Sequence, residues 1–271
     1  MPEVDGVRAI WRLDLGAVIG KGTWSVRRAG TAYVLKLLIG DWRYQLRVAK
    51  ALRELGWPTP EPAEEPLIRD DGAWVLFHRL PGRHEEPADR DRGRLLAELH
   101  ADARATGITE QRAGFRGPAE VVADPALERS LRGYGRTHPD EARELLAARD
   151  DTVAWFAGHA GIDAPRSVIH GDFTPWNLLY QNGRLSGLVD FEGTHHTYQV
   201  ADFALSWRGY RDDVLRGYDE VRPLAEVEWA LIRPVYVAWL FLGVAGPVAD
   251  LSWQVAHLRK HSALLDGRKS S

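Results

Sequence analysis

The stretch from Ser167 to Glu192, SVIHGDFTPWNLLYQNGRLSGLVDFE, limits what this chain can fold into more than any other. Val168-Ile169 is a short apolar run that leads into His170-Gly171-Asp172. Pro175 and Trp176 then interrupt any regular element, because proline fixes φ and lacks an amide proton. Leu178-Leu179-Tyr180 reads as a strand, Gln181-Asn182-Gly183-Arg184 as its turn, and Leu185 to Val189 as the returning strand. A hairpin brings its two ends together, so Asn177 and Asp190 are expected to be neighbours. Amide and carboxylate oxygens at such a spot suit a hard cation such as Mg2+. That ion takes one or two protein groups and fills its shell with phosphate oxygens and water.

Four residues separate Asp172 from Asn177, and the hairpin separates Asn177 from Asp190. These spacings match the kinase order of a catalytic-loop Asp, a metal-binding Asn and a second metal-binding Asp. His170-Gly171-Asp172 stands where protein kinases carry H-R-D, and Asp190-Phe191-Glu192 where they carry D-F-G. H-G-D, P-W-N and V-D-F-E together resemble the aminoglycoside phosphotransferase and choline kinase-like family of small-molecule kinases. The resemblance implies an α+β, two-lobed protein-kinase-like fold. Its N-terminal lobe would be a small antiparallel β-sheet with one helix, and its C-terminal lobe larger and mainly α-helical. It implies that Asp172 accepts or orients the proton of an acceptor hydroxyl, that His170 braces the loop, and that Asn177 and Asp190 hold Mg2+. ATP or GTP would donate the phosphoryl group.

Upstream, Trp11 to Leu38 reads as β-rich. Ala17-Val18-Ile19 is a strand, Gly20-Lys21-Gly22-Thr23 a turn, and Trp24 to Arg28 the return; a second turn leads into Ala32 to Ile39. Gly20 and Gly22 allow close backbone approach to phosphates, with Ser25 beside them, although a glycine hairpin is more often only a hairpin. Lys36 is the stronger signal. It is one of five lysines in the chain and lies inside the apolar run Tyr33 to Ile39. A charge there is costly unless an anion meets it or the strand is an edge. In kinases the third-strand lysine holds the α and β phosphates.

Asp41 to Leu55 has helical spacing at Trp42, Leu46, Ala49, Leu52 and Leu55. In kinase folds a helix here supplies a Glu for the strand lysine. At 100° per residue Gln45 falls on the inward face and Glu54 on the opposite one. Gln45 is therefore expected to contact Lys36, as an amide in place of an acid. Ala73 to Leu80 is a strand resembling the family's hinge, which makes Phe77, His78 and Arg79 the expected base contacts. The composition then changes, which places the division between lobes near Leu80, as residues 1–80 and 81–271.

Helices are expected over Asp89 to Ala105, with Leu95, Leu96, Leu99 and His100 inward. Further helices are expected over Pro118 to His138, Asp140 to Ala160, Val214 to Gly217, Ala225 to Ala249 and Leu251 to Leu265. Trp155, Phe156, Trp229, Tyr236, Trp239 and Trp253 are core candidates. Asp202, in an apolar setting, is expected to be hydrogen-bonded; in related kinases an Asp here braces the catalytic loop. His195 and His196 beside Asp190, with His170 as a further ligand, raise a zinc reading, disfavoured because adjacent residues ligate one metal poorly. Glu192 or His195 is a further candidate for a contact to substrate or a metal-bound water.

Bulk properties narrow the class further. The chain has 271 residues, a formal net charge of −3 and 45% hydrophobic residues, enough for real cores. The near-neutral balance gives no electrostatic case for nucleic acid or an anionic membrane. Absence of cysteine excludes a disulfide framework and a thiolate zinc site. No apolar stretch reaches the roughly 20 residues a bilayer needs, and no secretory signal is read at the N-terminus. The expectation is a cytoplasmic phosphotransferase, monomeric or homodimeric, acting on a small-molecule hydroxyl such as that of an aminoglycoside-type antibiotic. The rivals are a nucleotide-binding protein without transfer activity and a metal-dependent hydrolase.

Overall fold

A computed structural model describes residues 4–206, 213–246 and 248–266. Helix α1 (Val4–Trp11) precedes strands β1 (Asp14–Gly20), β2 (Thr23–Arg28) and β3 (Thr31–Leu38). Helix α2 (Trp42–Glu54), β4 (Leu67–Arg69), β5 (Gly72–His78) and β6 (Arg83–His84) follow. Then come α3 (Asp89–Ala105), α4 (Pro118–Val122), α5 (Pro125–Tyr134) and α6 (Pro139–Gly158). Residues 166–198 contribute β7 (Arg166–Ile169), β8 (Leu178–Gln181), β9 (Arg184–Leu188) and β10 (His195–Tyr198). Helices α7 (Asp202–Ser206), α8 (Asp213–Val221), α9 (Glu226–Leu240) and α10 (Ser252–Asp266) complete the described chain. The expected α+β class is what the structure has.

The chain divides into two compact units that are not consecutive halves. The first holds Met1–Ala88, Leu99–Gly114 and Val168–His196; the second holds Asp89–Glu98, Phe115–Ser167 and Thr197–Ser271. This differs from the expected split at residue 80, because Val168–His196 clusters with the N-terminal sheet. Three ties account for it: β6 pairs antiparallel with β8, Leu188 N–H donates to Pro58 O at 2.8 Å, and Lys36 reaches Asp190.

In the first unit an antiparallel sheet runs β1-β2-β3-β5-β4, so β3 is its middle strand. Ala29 and Gly30 both have positive φ, 49° and 82°, as the two central residues of a tight two-residue hairpin require. One face of the sheet packs Trp24, Val26, Leu35, Trp74 and Leu76 with Val7 of α1. The other buries Leu38, Val75 and Phe77 against Trp42 and Leu46 of α2. Asp41 caps α2, its carboxylate accepting from Tyr44 N–H at 3.1 Å.

In the second unit, α4, α5 and α6 share a core with α9 and α10, centred on Val122, Leu131, Leu145, Val237 and Phe241. The helix expected over Pro118 to His138 is two, because Asp124 caps a fresh N-terminus that begins at Pro125. The one expected over Ala225 to Ala249 ends at Leu240, with Pro234 inside it. Leu96, Leu99 and His100 are buried as expected, as is Tyr236. Trp155, Phe156, Trp229 and Trp239 are half-buried. Trp253 is a correction: it is 42% exposed, stacked on His257 of its own helix with ring centroids 4.0 Å apart.

Candidate active site

The hairpin of β8 and β9 forms as its residues dictate. Asn182 and Gly183 take positive φ, 54° and 72°, and Gln181 pairs with Arg184 across them. Leu178 pairs with Leu188 at the open end, and Val189 N–H donates to Asn177 O at 3.0 Å. Asn177 and Asp190 are thereby brought together. Asp190 has a left-handed backbone, φ 68°. Aspartate tolerates that better than most residues, yet the conformation is uncommon and recurs at functional sites.

The loop before the hairpin is tied to the same place. Asn177 Nδ2 donates to Asp172 O at 2.8 Å and to Asp172 Oδ2 at 3.0 Å. The amide's donors thus face Asp172, which leaves its oxygen as the atom suited to a cation. Asp172 N–H donates to His170 Nδ1 at 3.3 Å. His170 Nδ1 is therefore the acceptor, and Nε2 carries the proton donated to Val189 O at 3.0 Å. His170 is buried and joins the loop to the strand that presents Asp190.

Gly171 explains why this loop reads H-G-D. Its φ is +78°, and a Cβ there would lie 2.1 Å from Gly193 O. Gly193 answers it from the other side, its own hypothetical Cβ 2.9 Å from Gly171 O. Two glycines let the Asp172 loop and the Asp190 loop touch backbone to backbone.

Lys36 lies on the middle strand, not an edge, with its side chain 14% exposed. Its Nζ is 2.7 Å from Asp190 Oδ1 and 2.9 Å from Glu192 Oε1. Burial pulls the lysine's pKa down, but the charges and hydrogen bonds of Asp190 and Glu192 outweigh it and the net shift is upward. The expected contact of Gln45 with Lys36 is corrected: the Gln45 amide donates to Ile39 O at 3.1 Å. Two carboxylates on a following loop outcompete a neutral amide for a buried ammonium.

A cavity of about 640 Å³ opens over these groups, and all its lining residues belong to the first unit. Gly20, Ser25, Lys36, Gln45, Phe77, His78, Arg79, Asn177 and Asp190 line it. Gly22 does not. It holds the β1–β2 turn with φ +63°, and its carbonyl accepts from Leu37 N–H at 2.8 Å. His170 and Asp172 are linked to the cavity through Val189 and Asn177. At the hinge strand His78 N–H is already given to Glu61 O at 2.9 Å, so its amide is not the group left for a base. Trp176, half exposed, and Arg83 also line the cavity and were not anticipated.

Arg112 was missed altogether. It is buried, and its Nη1 donates to Glu192 O and Thr194 O, each at 2.7 Å. The guanidinium sits over the Tyr44 ring, 5.8 Å from its centroid. Burial lowers its pKa, while Asp41, Tyr44 and Glu192 act in the opposite direction. No motif marks Arg112; a lone arginine after a helix carries no local signal. The zinc reading finds no support: among the described residues no three His, Cys, Asp or Glu side chains group as metal ligands. His195 Nδ1 instead lies 2.8 Å from Gly193 O.

A lysine largely shielded on the middle strand of an antiparallel sheet, facing an Asp at the foot of a hairpin, is the arrangement of the protein-kinase-like class of phosphotransferase folds. The chain belongs to the phosphotransferase enzyme family, APH, whose model matches residues 18–234. It is 30% identical over 152 residues to homoserine kinase of Gluconobacter oxydans (strain 621H), covering 52% of this chain and 46% of that protein. The chain spans less than two thirds of the length of the first curated relatives it matches. Among solved structures, it resembles a thermostable mutant of aminoglycoside phosphotransferase APH(4)-Ia in ternary complex with ADP and hygromycin B. The TM-score is 0.65 at 17% identity, over 99% of this chain and 96% of that one. Amicoumacin kinase hAmiN, in complex with AMP-PNP, Ca2+ and Ami, aligns with TM-score 0.64 at 14% identity, over 96% and 93%. Among the described residues no helix is long and apolar enough to cross a membrane.

Proposed function

We propose that this protein transfers the γ-phosphoryl group of a nucleoside triphosphate, ATP or GTP, to a hydroxyl of a small molecule. The observation that carries this reading is the convergence of Lys36, Asn177 and Asp190 on one cavity, with Asp172 hydrogen-bonded to Asn177. The cavity is in the size range of small-molecule sites, about 300–1,000 Å³. Its far end, by Phe77 to Arg79, is the side for the base; the end by Lys36 is the side for the phosphates.

Asn177 and Asp190 would hold Mg2+, their donor oxygens being the hard ligands that ion takes. When bound, such a cation neutralises charge on the phosphate oxygens. Lys36 orients the α and β phosphates. Asp172 accepts the proton of the acceptor hydroxyl as its oxygen bonds to the γ-phosphorus. The bond from that phosphorus to the β,γ-bridging oxygen breaks, and the nucleoside diphosphate leaves. His170 holds the Asp172 loop to Val189 throughout.

A nucleotide-binding protein without transfer activity would be favoured by Gln45 in place of an acid and by the short glycine turn. Glu192 supplies the negative charge beside Lys36 that Gln45 lacks, which favours transfer. The acceptor belongs to the alcohols that family members phosphorylate, with homoserine and aminoglycosides the first to try. Triphosphate consumption should be screened against aminoglycosides, macrolides, amino alcohols including homoserine, and nucleosides. Asp172→Asn should abolish transfer to the acceptor so found while nucleotide affinity stays within about threefold. Full activity in that variant would remove Asp172 from the role of base.

A further inference from the structure

Lys36 draws its second acid from an unexpected place. Helix α2 carries one acid, Glu54, which is exposed and lies 3.9 Å from Lys50. Its inward residue, Gln45, is engaged with Ile39 O. Glu192, two residues past Asp190, is instead 2.9 Å from Lys36 Nζ. We propose that Glu192 is the positioning residue for Lys36, held in the loop after Asp190, and that it keeps the ammonium aimed into the cavity while Asp190 serves a cation. This rests on the transfer reaction proposed above.

Geometry fixes Glu192 for that task. Its own carbonyl is gripped by Arg112, which also holds Thr194 O two residues on. Between them Gly193 lies against Gly171, with no room for a side chain on either. The Phe191–Gly193 turn is thus pinned on both flanks, and the Glu192 side chain leaves a fixed point. An ammonium has three donors. Asp190 and Glu192 take two, and the third is left for a phosphate oxygen. A carboxylate that coordinates a divalent cation gives up much of its attraction for an ammonium, because the cation's charge dominates its surroundings. Glu192 is then the acid that remains to Lys36.

The test is a double-mutant cycle on Lys36→Met and Glu192→Gln, read as affinity for the fluorescent analogue mant-ATP at saturating Mg2+, together with the midpoint of the Mg2+ titration. Glu192→Gln should weaken binding by about tenfold, the scale of one lost charge-assisted hydrogen bond. Lys36→Met should weaken it at least as much, and the double variant should be no weaker than Lys36→Met alone. The Mg2+ midpoint should not move, and Glu192→Asp, which keeps the charge, should recover part of the loss. Additive losses would overturn the assignment. So would a Glu192→Gln defect that disappears at higher Mg2+, since that would make Glu192 a metal ligand. If the unaltered protein binds neither mant-ATP nor mant-GTP, the transfer reading itself falls. If it binds, and Lys36→Met weakens binding while Glu192→Gln does not, only the role of Glu192 falls.

Discussion

Gly171 and Gly183 separate two costs that are often confused. Both have φ near +75°, at +78° and +72°, so an alanine at either site bears similar backbone strain, about 1–2 kcal/mol. A Cβ at Gly183 meets nothing within 4 Å, whereas one at Gly171 would lie 2.1 Å from Gly193 O. Gly183→Ala should therefore cost about 1–2 kcal/mol in urea denaturation and leave transfer intact. Gly171→Ala must also push the Asp172 and Asp190 loops apart. A displacement near 1 Å at a reacting group costs on the order of 100-fold in rate, and that loss should appear in kcat. Equal activity losses in the two variants would refute the role given to the glycine contact. At this scale the chain was legible where chemistry is local: Asp172, Asn177 and Asp190 sit within one stretch whose turn residues dictate their approach. Glu192 as the partner of Lys36, and Arg112 as its anchor, were not. Those contacts join residues 156 and 80 positions apart, and periodicity within a helix says nothing about what another loop delivers.

Elements were legible in kind and less so at their joints. The strands, hairpins and α2 follow from alternation, Ala-Gly and Asn-Gly turns, and an Asp cap. Helix breaks at Asp124-Pro125 and after Leu240 did not, because an apolar run shows what is buried and not where a new cap begins. The start of α9 shows what holds such a joint. Glu228 is buried; it accepts from Ala225 N–H at 3.1 Å and from Arg222 Nη1 and Nη2 at 3.1 and 2.5 Å. Arg222 Nε also donates to the Tyr218 hydroxyl at 2.8 Å, which ties α8 to α9. Removing one partner of a buried ion pair leaves the other uncompensated, at about 3–5 kcal/mol. Glu228→Ala should lose an amount in that range by denaturant titration. Glu228→Gln, which retains one acceptor for the Ala225 N–H, should lose less. A loss below about 1 kcal/mol for alanine would mean that water reaches Arg222.

For the molecule as a whole, the expected consecutive halves give way to two units assembled from separated segments, because Val168–His196 clusters with the N-terminal sheet. Stability of the assembled chain is expected to be asymmetric in pH. The acids with depressed pKa, among them Asp124 beside Ala126 N–H and Arg116, and Glu220 beside Arg90 and Arg94, are exposed, so each adds little. The alkaline side is different. Burial raises the Tyr218 phenol above its ordinary 10.0. Lys36 is pulled down by burial but carried above its ordinary 10.5 by Asp190 and Glu192. Both groups bind their protons more tightly when folded. Between the unfolded and folded values the unfolded chain holds fewer protons, so unfolding free energy falls as pH rises. The contribution is whole below about pH 10 and is lost as pH climbs through the folded values. Melting temperature should therefore be nearly level from about pH 7 to 9.5 and drop steeply above about 10, where ordinary lysine and tyrosine ionise. Tyr218→Phe removes one such group and should flatten that drop while leaving the neutral plateau lower by the lost bond to Arg222. A descent above pH 10 as steep in Tyr218→Phe as in the unaltered chain would show that the tyrosine is not coupled to folding.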